Sequence, residues 1–268
     1  MANAFQAYFI QVITNMHVGS GDANYGIVDK LVQRDPVTGH PTIHASSLKG
    51  ALREHFESKW GKDDSKVDTI FGKEAKGENE SETGAYKFLG ADLVALPVRC
   101  NFEQYVLGLN SEVANAINSK SLLLTGKEIF DTIDSGNKLF YQVNQPGYPV
   151  YAEDVELSAK AAHTNPLKVT SGLNVFATKY ATFSNHGFAN ISRNLPVIAR
   201  NNIENGKSNN LWYEEIVPHQ TVFITFIFTT DIYQKEFEEV LTGDIIQIGG
   251  NASIGYGLCK FYKINFAS

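Results

Sequence analysis

The sequence predicts an α+β fold: a ferredoxin-like core with large insertions. Three observations carry that expectation. The chain opens on a strand, helix, strand pattern and closes on another. Its 268 residues exceed what such a core needs, leaving room for insertions within one large domain spanning residues 1–268. The apolar fraction of 43% and charged fraction of 19% suit a globular chain, and no internal repeat is evident.

Residues 5–18 are rich in β-branched and aromatic side chains and predict the opening strand. A Gly-rich loop follows over 17–26. Ser46 and Ser47 are expected N-caps of a helix that places Leu48, Ala51, Leu52 and Phe56 on one face. Residues 74–84 are polar and acidic, and predict a mobile surface loop. Residues 86–100 predict extended structure broken at Gly90 and Pro97, 112–119 a short helix, and 138–143 a strand. Residues 184–210 combine many Asn, Gly and Ser with Arg193 and Arg200, and predict a long projecting excursion in the manner of an extended hairpin. Residues 222–228 predict a buried strand, 232–241 a helix ended by Gly243, and 244–248 a short strand. A second Gly-rich turn over 249–257 leads to a final alternating strand over 258–266.

A net charge of −6 argues against a free-standing nucleic-acid binder, so any such site must be a local basic patch or be completed by neighbouring subunits. No signal peptide or bilayer-length apolar run is read from the sequence. The two cysteines, Cys100 and Cys259, are far apart and lack a Cys-x-x-Cys spacing. They predict two buried free thiols and a reducing cytoplasm rather than a disulfide or zinc framework.

Lys49 and Arg53 stand four apart and share a helical face. With Lys49 in the first turn, the helix dipole disfavours it by about a few tenths of a kcal/mol. An anion at the helix N-terminus, met by free amides, Lys49 and the serines, would offset that cost; a solvated surface face is the alternative. The turn at 249–257 is either an anion-binding nest or a tight strand connection, and it matches neither the P-loop nor the dinucleotide fingerprint. Asp29, Asp22 and Asp35 compete as carboxylates able to bind Mg²⁺ or orient a hydroxyl, or merely to cap turns. His17 reads as a general acid or base, or as a structural histidine. Glu214 and Glu215 are further acidic candidates, beside Trp212 and Tyr213. No Ser-His-Asp ordering, His-Glu-x-x-His or Cys/His cluster is present.

Taken in order, these segments resemble the RAMP superfamily of CRISPR-associated proteins, closest to the repeated backbone subunit of the type III-B (Cmr) RNA-guided complex. The resemblance rests on His17-Val-Gly-Ser-Gly, Gly26-Ile-Val-Asp-Lys-Leu-Val-Gln-Arg-Asp35, and Thr38-Gly-His-Pro-Thr-Ile-His-Ala-Ser-Ser-Leu-Lys-Gly-Ala-Leu-Arg53. Ile70-Phe-Gly72, Gly90-Ala-Asp92, Leu211-Trp-Tyr-Glu-Glu215 and Ile246-Gln-Ile-Gly-Gly-Asn251 complete it over nearly the whole chain. It implies a modified RRM-like core, several copies stacked in a filament along one CRISPR RNA, and a thumb hairpin that interrupts the guide–target duplex. Residues 184–210 would hold at least part of that thumb.

The resemblance further implies that Asp29 is the cleavage residue, acting on target RNA with a divalent metal, expected to be Mg²⁺. His17 and Glu215 would lie close to the cleavage site. Ser47, Lys49, Arg53 and Arg200 would contact RNA, with Gly249, Gly250 and Asn251 facing it. Lys30 and Leu31 depart from the apolar-then-proline step common in relatives, and Ile216 replaces a common aromatic. The expected partners are guide RNA, single-stranded target RNA, further copies of the chain and other Cmr subunits, with no membrane. A binding-only scaffold, a ribonuclease processing precursor CRISPR RNA, and a small-molecule phosphotransfer enzyme are the alternatives.

Overall fold

A computed structural model describes residues 4–21, 26–73, 81–133, 135–141, 147–161 and 180–266. The first half runs β1 (Ala4–Val12), α1 (Ala45–Trp60), α2 (Ser65–Phe71), β2 (Gly72–Lys73), β3 (Glu82–Thr83), β4 (Lys87–Phe88), β5 (Asp92–Arg99), β6 (Tyr105–Leu109) and α3 (Ser111–Thr125). The second runs β7 (Lys138–Tyr141), β8 (Val150–Ala152), β9 (Val155–Ala161), β10 (Tyr180–Thr182), α4 (Asn185–Arg193), β11 (Val197–Glu204) and β12 (Lys207–Glu215). It closes with β13 (Val222–Thr229), α5 (Gln234–Gly243), β14 (Ile245–Gln247) and β15 (Leu258–Lys263).

Eleven strands form one mixed sheet in the order β14-β15-β1-β13-β5-β6-β10-β7-β9-β8, with β4 also on β13. The strand β13, Val-Phe-Ile-Thr-Phe-Ile-Phe-Thr, lies antiparallel to β1 from Ala4↔Thr229 to Gln11↔Val222. Because side chains alternate across a strand, it feeds two cores. Phe223 and Ile227 join Leu48, Leu52 and Phe56 of α1 and Phe237 and Leu241 of α5. Val222, Ile224 and Phe226 face Ala114 and Ile117 of α3 together with Ile129 and Phe130. The i, i+4 spacing of Leu48, Leu52 and Phe56 makes α1 amphipathic, and Phe56 stacks on Phe237 with ring centroids 4.9 Å apart. Truncating such a ring to alanine costs about 3–5 kcal/mol.

Two expectations are corrected here. Helix α1 begins at Ala45 with His44 as its N-cap, so Ser46 and Ser47 lie inside the first turn rather than capping it. The cause is upstream: the His44 N–H donates to Gln33 Oε1 at 2.7 Å, while the His44 carbonyl already accepts the Leu48 N–H. Lys49 therefore falls in the second turn, and the dipole argument for an anion beside it weakens. The excursion of residues 184–210 is also not one extended ribbon. Ser184 caps helix α4 through its hydroxyl, and the hairpin proper is β11–β12, which extends to Glu215.

That hairpin forms its own two-stranded sheet, apart from the large one. It turns at Asn205 and Gly206, both at positive φ (50° and 75°), the geometry that an Asn-Gly pair favours. Within residues 74–84, Glu82–Thr83 pair with Gly72–Lys73, and 74–80 lie outside the described residues. Cys259 is buried and Cys100 only partly so, both unpaired; burial pushes the Cys259 thiol up to about 12. Among the described residues no helix is long and apolar enough to cross a membrane.

Candidate functional site

The segment 29–34 docks along β12, and this places the candidate carboxylate. The Asp29 N–H donates to the Tyr213 carbonyl at 3.0 Å, and Asp29 Oδ2 accepts the Tyr213 N–H at 2.7 Å. Lys30 continues as a parallel bridge to Glu214. Asp29 is exposed, and its Oδ1 takes no hydrogen bond among the described residues. The competing Asp35 is engaged differently. Its Oδ1 accepts from the Val37 and Thr38 N–H groups and the Thr38 hydroxyl. Burial pushes its carboxyl up, but those hydrogen bonds prevail and hold it below the usual range. Asp22 lies outside the described residues.

The two neighbouring glutamates point to opposite faces of β12, as adjacent strand residues must. Glu214 is 1% exposed. Its Oε2 accepts from Arg200 Nη1 and Asn251 Nδ2, both at 3.0 Å, and its Oε1 lies 3.6 Å from His17 Nε2. Burial pushes the Glu214 carboxyl up, and the Arg200 and Asn251 hydrogen bonds with the nearby cations override this and hold it low. His17 is buried, and its Nδ1 donates to the Glu215 carbonyl at 2.8 Å, which fixes the ring. Glu215, also buried, accepts the Val32 N–H at 3.1 Å on Oε2 and pairs through Oε1 with Arg34. Neither glutamate is open to solvent in the way Asp29 is.

The first turn of α1 joins this region through Gln33. The Gln33 Nε2 donates to the Ser47 hydroxyl at 2.8 Å and to the Gly19 carbonyl at 3.2 Å, and its Oε1 holds the His44 N–H. The start of α1 is exposed from His44 to Ser46 and has no side-chain cap. Lys49 is half-buried and forms no ion pair among the described residues. Arg53 is engaged elsewhere: it donates to Glu57 at 2.7 Å and to the Gly72 carbonyl at 2.8 Å, and lies 3.7 Å from Asp68. It braces α1 against α2 and β2, away from the cluster around Glu214.

Gly249 and Gly250 are exposed, and the turn closes on the His17 backbone. Gly250 donates its N–H to the His17 carbonyl at 2.8 Å, and a Cβ on Gly249 would meet that oxygen at 2.4 Å. The close approach that requires glycine at 249 is thus internal. Arg200 lies near two rings, its Cζ 5.5 Å from the Trp212 centroid and 5.8 Å from that of Tyr256, while Lys30 Nζ lies 5.3 Å from Trp212.

No group of three or more His, Cys, Asp or Glu able to hold a metal occurs among the described residues. Asp29 fits a different kind of site. Mg²⁺ keeps several waters and takes one or two carboxylates plus phosphate oxygens, and Asp29 offers an exposed carboxylate with an open oxygen. The structure thus brings His17, Arg200, Asn251 and the glycines of the turn around Glu214 at the hairpin root, while the Glu215 carboxylate turns to the other face, toward Val32 and Arg34, and Asp29 stands at the edge. Gln33 and Arg34 were missed by sequence reasoning. The available signal was the polar pair Gln33-Arg34 directly after the apolar pair Leu31-Val32.

The chain thus combines a two-core sheet with a separate hairpin, and a carboxylate segment, helix start and glycine turn near the hairpin root. The RAMP superfamily sequence profile matches residues 9–260, and the chain belongs to this family. Among individual relatives, the chain is 28% identical to the CRISPR system Cmr endoribonuclease Cmr4 of Pyrococcus furiosus, across 95% of both chains. A type III-B Cmr-beta complex bound to cognate target RNA contains a chain with a TM-score of 0.74 and 22% identity, covering 97% of this chain and 96% of that one. Oligomeric Cmr4 from Pyrococcus furiosus gives 0.72 and 20%, covering 98% and 100%.

Proposed function

We propose that this chain is an RNA-binding backbone subunit of a type III-B CRISPR effector complex, and that it cleaves RNA complementary to the guide. Family membership and the end-to-end match to a Cmr endoribonuclease support the assignment. The observation that carries the chemistry is Asp29: an exposed carboxylate with one oxygen fixed by Tyr213 and the other open.

The succession β1-α1-β5-β13-α5-β15 fits a βαββαβ, ferredoxin-like core, and the adjacency β15-β1-β13-β5 is consistent with it. The β11–β12 hairpin is our candidate for the thumb that enters between guide and target. Guide RNA, target RNA, further copies of the chain and other Cmr subunits are the partners, in a cytoplasmic ribonucleoprotein. The phosphates of the guide would meet the uncapped start of α1, with Ser47 and Lys49, and the exposed turn at Gly249, Gly250 and Asn251. Arg53, already held by Glu57 and Gly72, would support this surface from behind.

In the proposed reaction, the hairpin displaces a target nucleotide and aligns its 2′-hydroxyl with the adjacent phosphorus. Asp29 orients or deprotonates that hydroxyl; the new O–P bond forms as the P–O5′ bond breaks, and the 5′-oxygen takes a proton from water, leaving a 2′,3′-cyclic phosphate and a 5′-hydroxyl. A divalent metal, expected to be Mg²⁺ at Asp29, would supply charge neutralisation at the phosphate. His17 and Glu214 hold the strand that carries Tyr213, and through it the carboxylate. The test is an assembled complex carrying Asp29→Ala. We expect guide RNA to be retained and regularly spaced cleavage of target to be lost; continued cutting at the same spacing would reduce the chain to a binding scaffold.

A further inference from the structure

Arg34 joins three segments that the candidate site needs in one place. Its Nη1 donates to the Gly39 carbonyl at 2.8 Å and the Ser192 carbonyl at 2.9 Å. Its Nη2 donates to the Arg193 carbonyl at 3.1 Å and to the Glu215 carboxylate. Ser192 and Arg193 are the last two residues of α4, whose carbonyls have no partner within the helix. Arg34 therefore closes α4, which only three residues separate from the hairpin at Val197.

Glu215 completes the grip from the other strand of the hairpin. Its N–H donates to the Lys30 carbonyl at 2.9 Å, its Oε2 accepts the Val32 N–H, and its Oε1 holds Arg34. Residues 30, 32 and 34 alternate along one segment, so a single glutamate grips every second residue of the stretch that follows Asp29. The carboxylate side chain is 6% exposed, too enclosed to meet a substrate. The guanidinium uses both terminal nitrogens on acceptors fixed in direction, a fork that a lysine ammonium does not reproduce.

We propose that the Arg34–Glu215 pair is a positioning device: it locks both ends of the β11–β12 hairpin root onto the segment carrying Asp29, so that carboxylate and hairpin meet the RNA at a fixed separation. This rests on the Asp29 assignment above. Neither residue touches the reacting atoms, so both act on the rate through geometry, where a displacement near 1 Å can cost on the order of 100-fold.

The test uses assembled complexes carrying Arg34→Lys, Glu215→Gln, or Arg34→Gln together with Glu215→Gln, which substitutes a neutral hydrogen-bonded pair. Single-turnover cleavage, the target concentration for half-maximal rate and guide RNA retention are measured for each. Arg34→Lys is expected to cut about 10- to 100-fold more slowly at saturating target, with half-saturation changed less than about twofold and guide RNA retained. The cut positions are expected to spread to neighbouring phosphodiester bonds. The double variant is expected to recover part of the rate lost in Glu215→Gln alone. An unchanged rate in Arg34→Lys, or a fall matched by loss of guide RNA, overturns the proposal. An Asp29→Ala complex run alongside separates the two ideas. If it still cuts, the Asp29 assignment fails; if it is inactive while Arg34→Lys cuts normally, the positioning role alone fails.

Discussion

Asp29 lies on the segment docked along β12 and Glu214 lies within β12, and the protein treats their two carboxylates in opposite ways. Asp29 is exposed and keeps an oxygen open. Glu214 is 1% exposed and ringed by Arg200, Asn251 and His17. A buried carboxylate held by fixed donors organises its surroundings, whereas an exposed one anchored at a single oxygen remains available to a ligand. Asp29→Asn sharpens this contrast most. The amide oxygen can still accept the Tyr213 N–H, so cleavage by the assembled complex is expected to fall about 10²- to 10⁴-fold while the denaturant midpoint of the chain stays put. A shifted midpoint would make Asp29 structural.

The reverse outcome is expected at Glu214. Glu214→Ala strands Arg200 and removes the hairpin's tie to Asn251, and should cost about 3 kcal/mol in urea unfolding. A variant as stable as the parent would show that the cluster does not hold the hairpin root. A smaller effect is expected at Lys49→Glu: guide RNA affinity should weaken, with the slope of log affinity against log salt falling by about one, and no change in fold by circular dichroism. An unaltered slope would remove Lys49 from the RNA surface.

The smallest effect concerns pH. Burial and the nearby Arg193 hold His40 below its usual value, against the pull of Asp35. A depressed histidine favours the neutral form in the folded state, so its contribution is complete above pH about 6.5 and is lost as pH falls through the lower folded value. Unfolding midpoints measured from pH 7.5 to 5 should therefore decline, and His40→Gln should flatten part of that decline. A parallel decline in both proteins would place the effect elsewhere.

Much of the fold was legible because its signals are local. The 48, 52, 56 stripe gave α1, and the continuous apolar run of β13 announced a strand covered on both faces. The excursion over 184–210 was legible as a projecting hairpin, yet its polar composition hid α4 within it and its turn at Asn205-Gly206 was placed only by the structure. The site was harder to read because its roles are set by distant partners. Glu215 and Glu214 are indistinguishable in sequence; only the pairing of β12 turns one toward Arg34 and the other toward Asn251. Gln33, 14 residues from both Gly19 and Ser47, looks like an ordinary polar residue until its amide is seen joining them. The start of α1 moved for the same reason, since a donor–acceptor match at His44 outweighed the intrinsic capping preference of serine.

The indole of Trp212 gives this region a built-in optical reporter. It lies against the Lys30 ammonium and the Arg200 guanidinium, and its Nε1 is buried without a hydrogen-bond partner among the described residues. The other tryptophan of the two in the chain, Trp60, packs edge-on to Phe56 at the far end of α1. A Trp60→Phe protein therefore emits from the hairpin root alone. Its emission maximum and lifetime are expected to report whether the Lys30 ammonium stays beside the ring, and a shift on adding guide RNA would place the proposed RNA surface at the hairpin root.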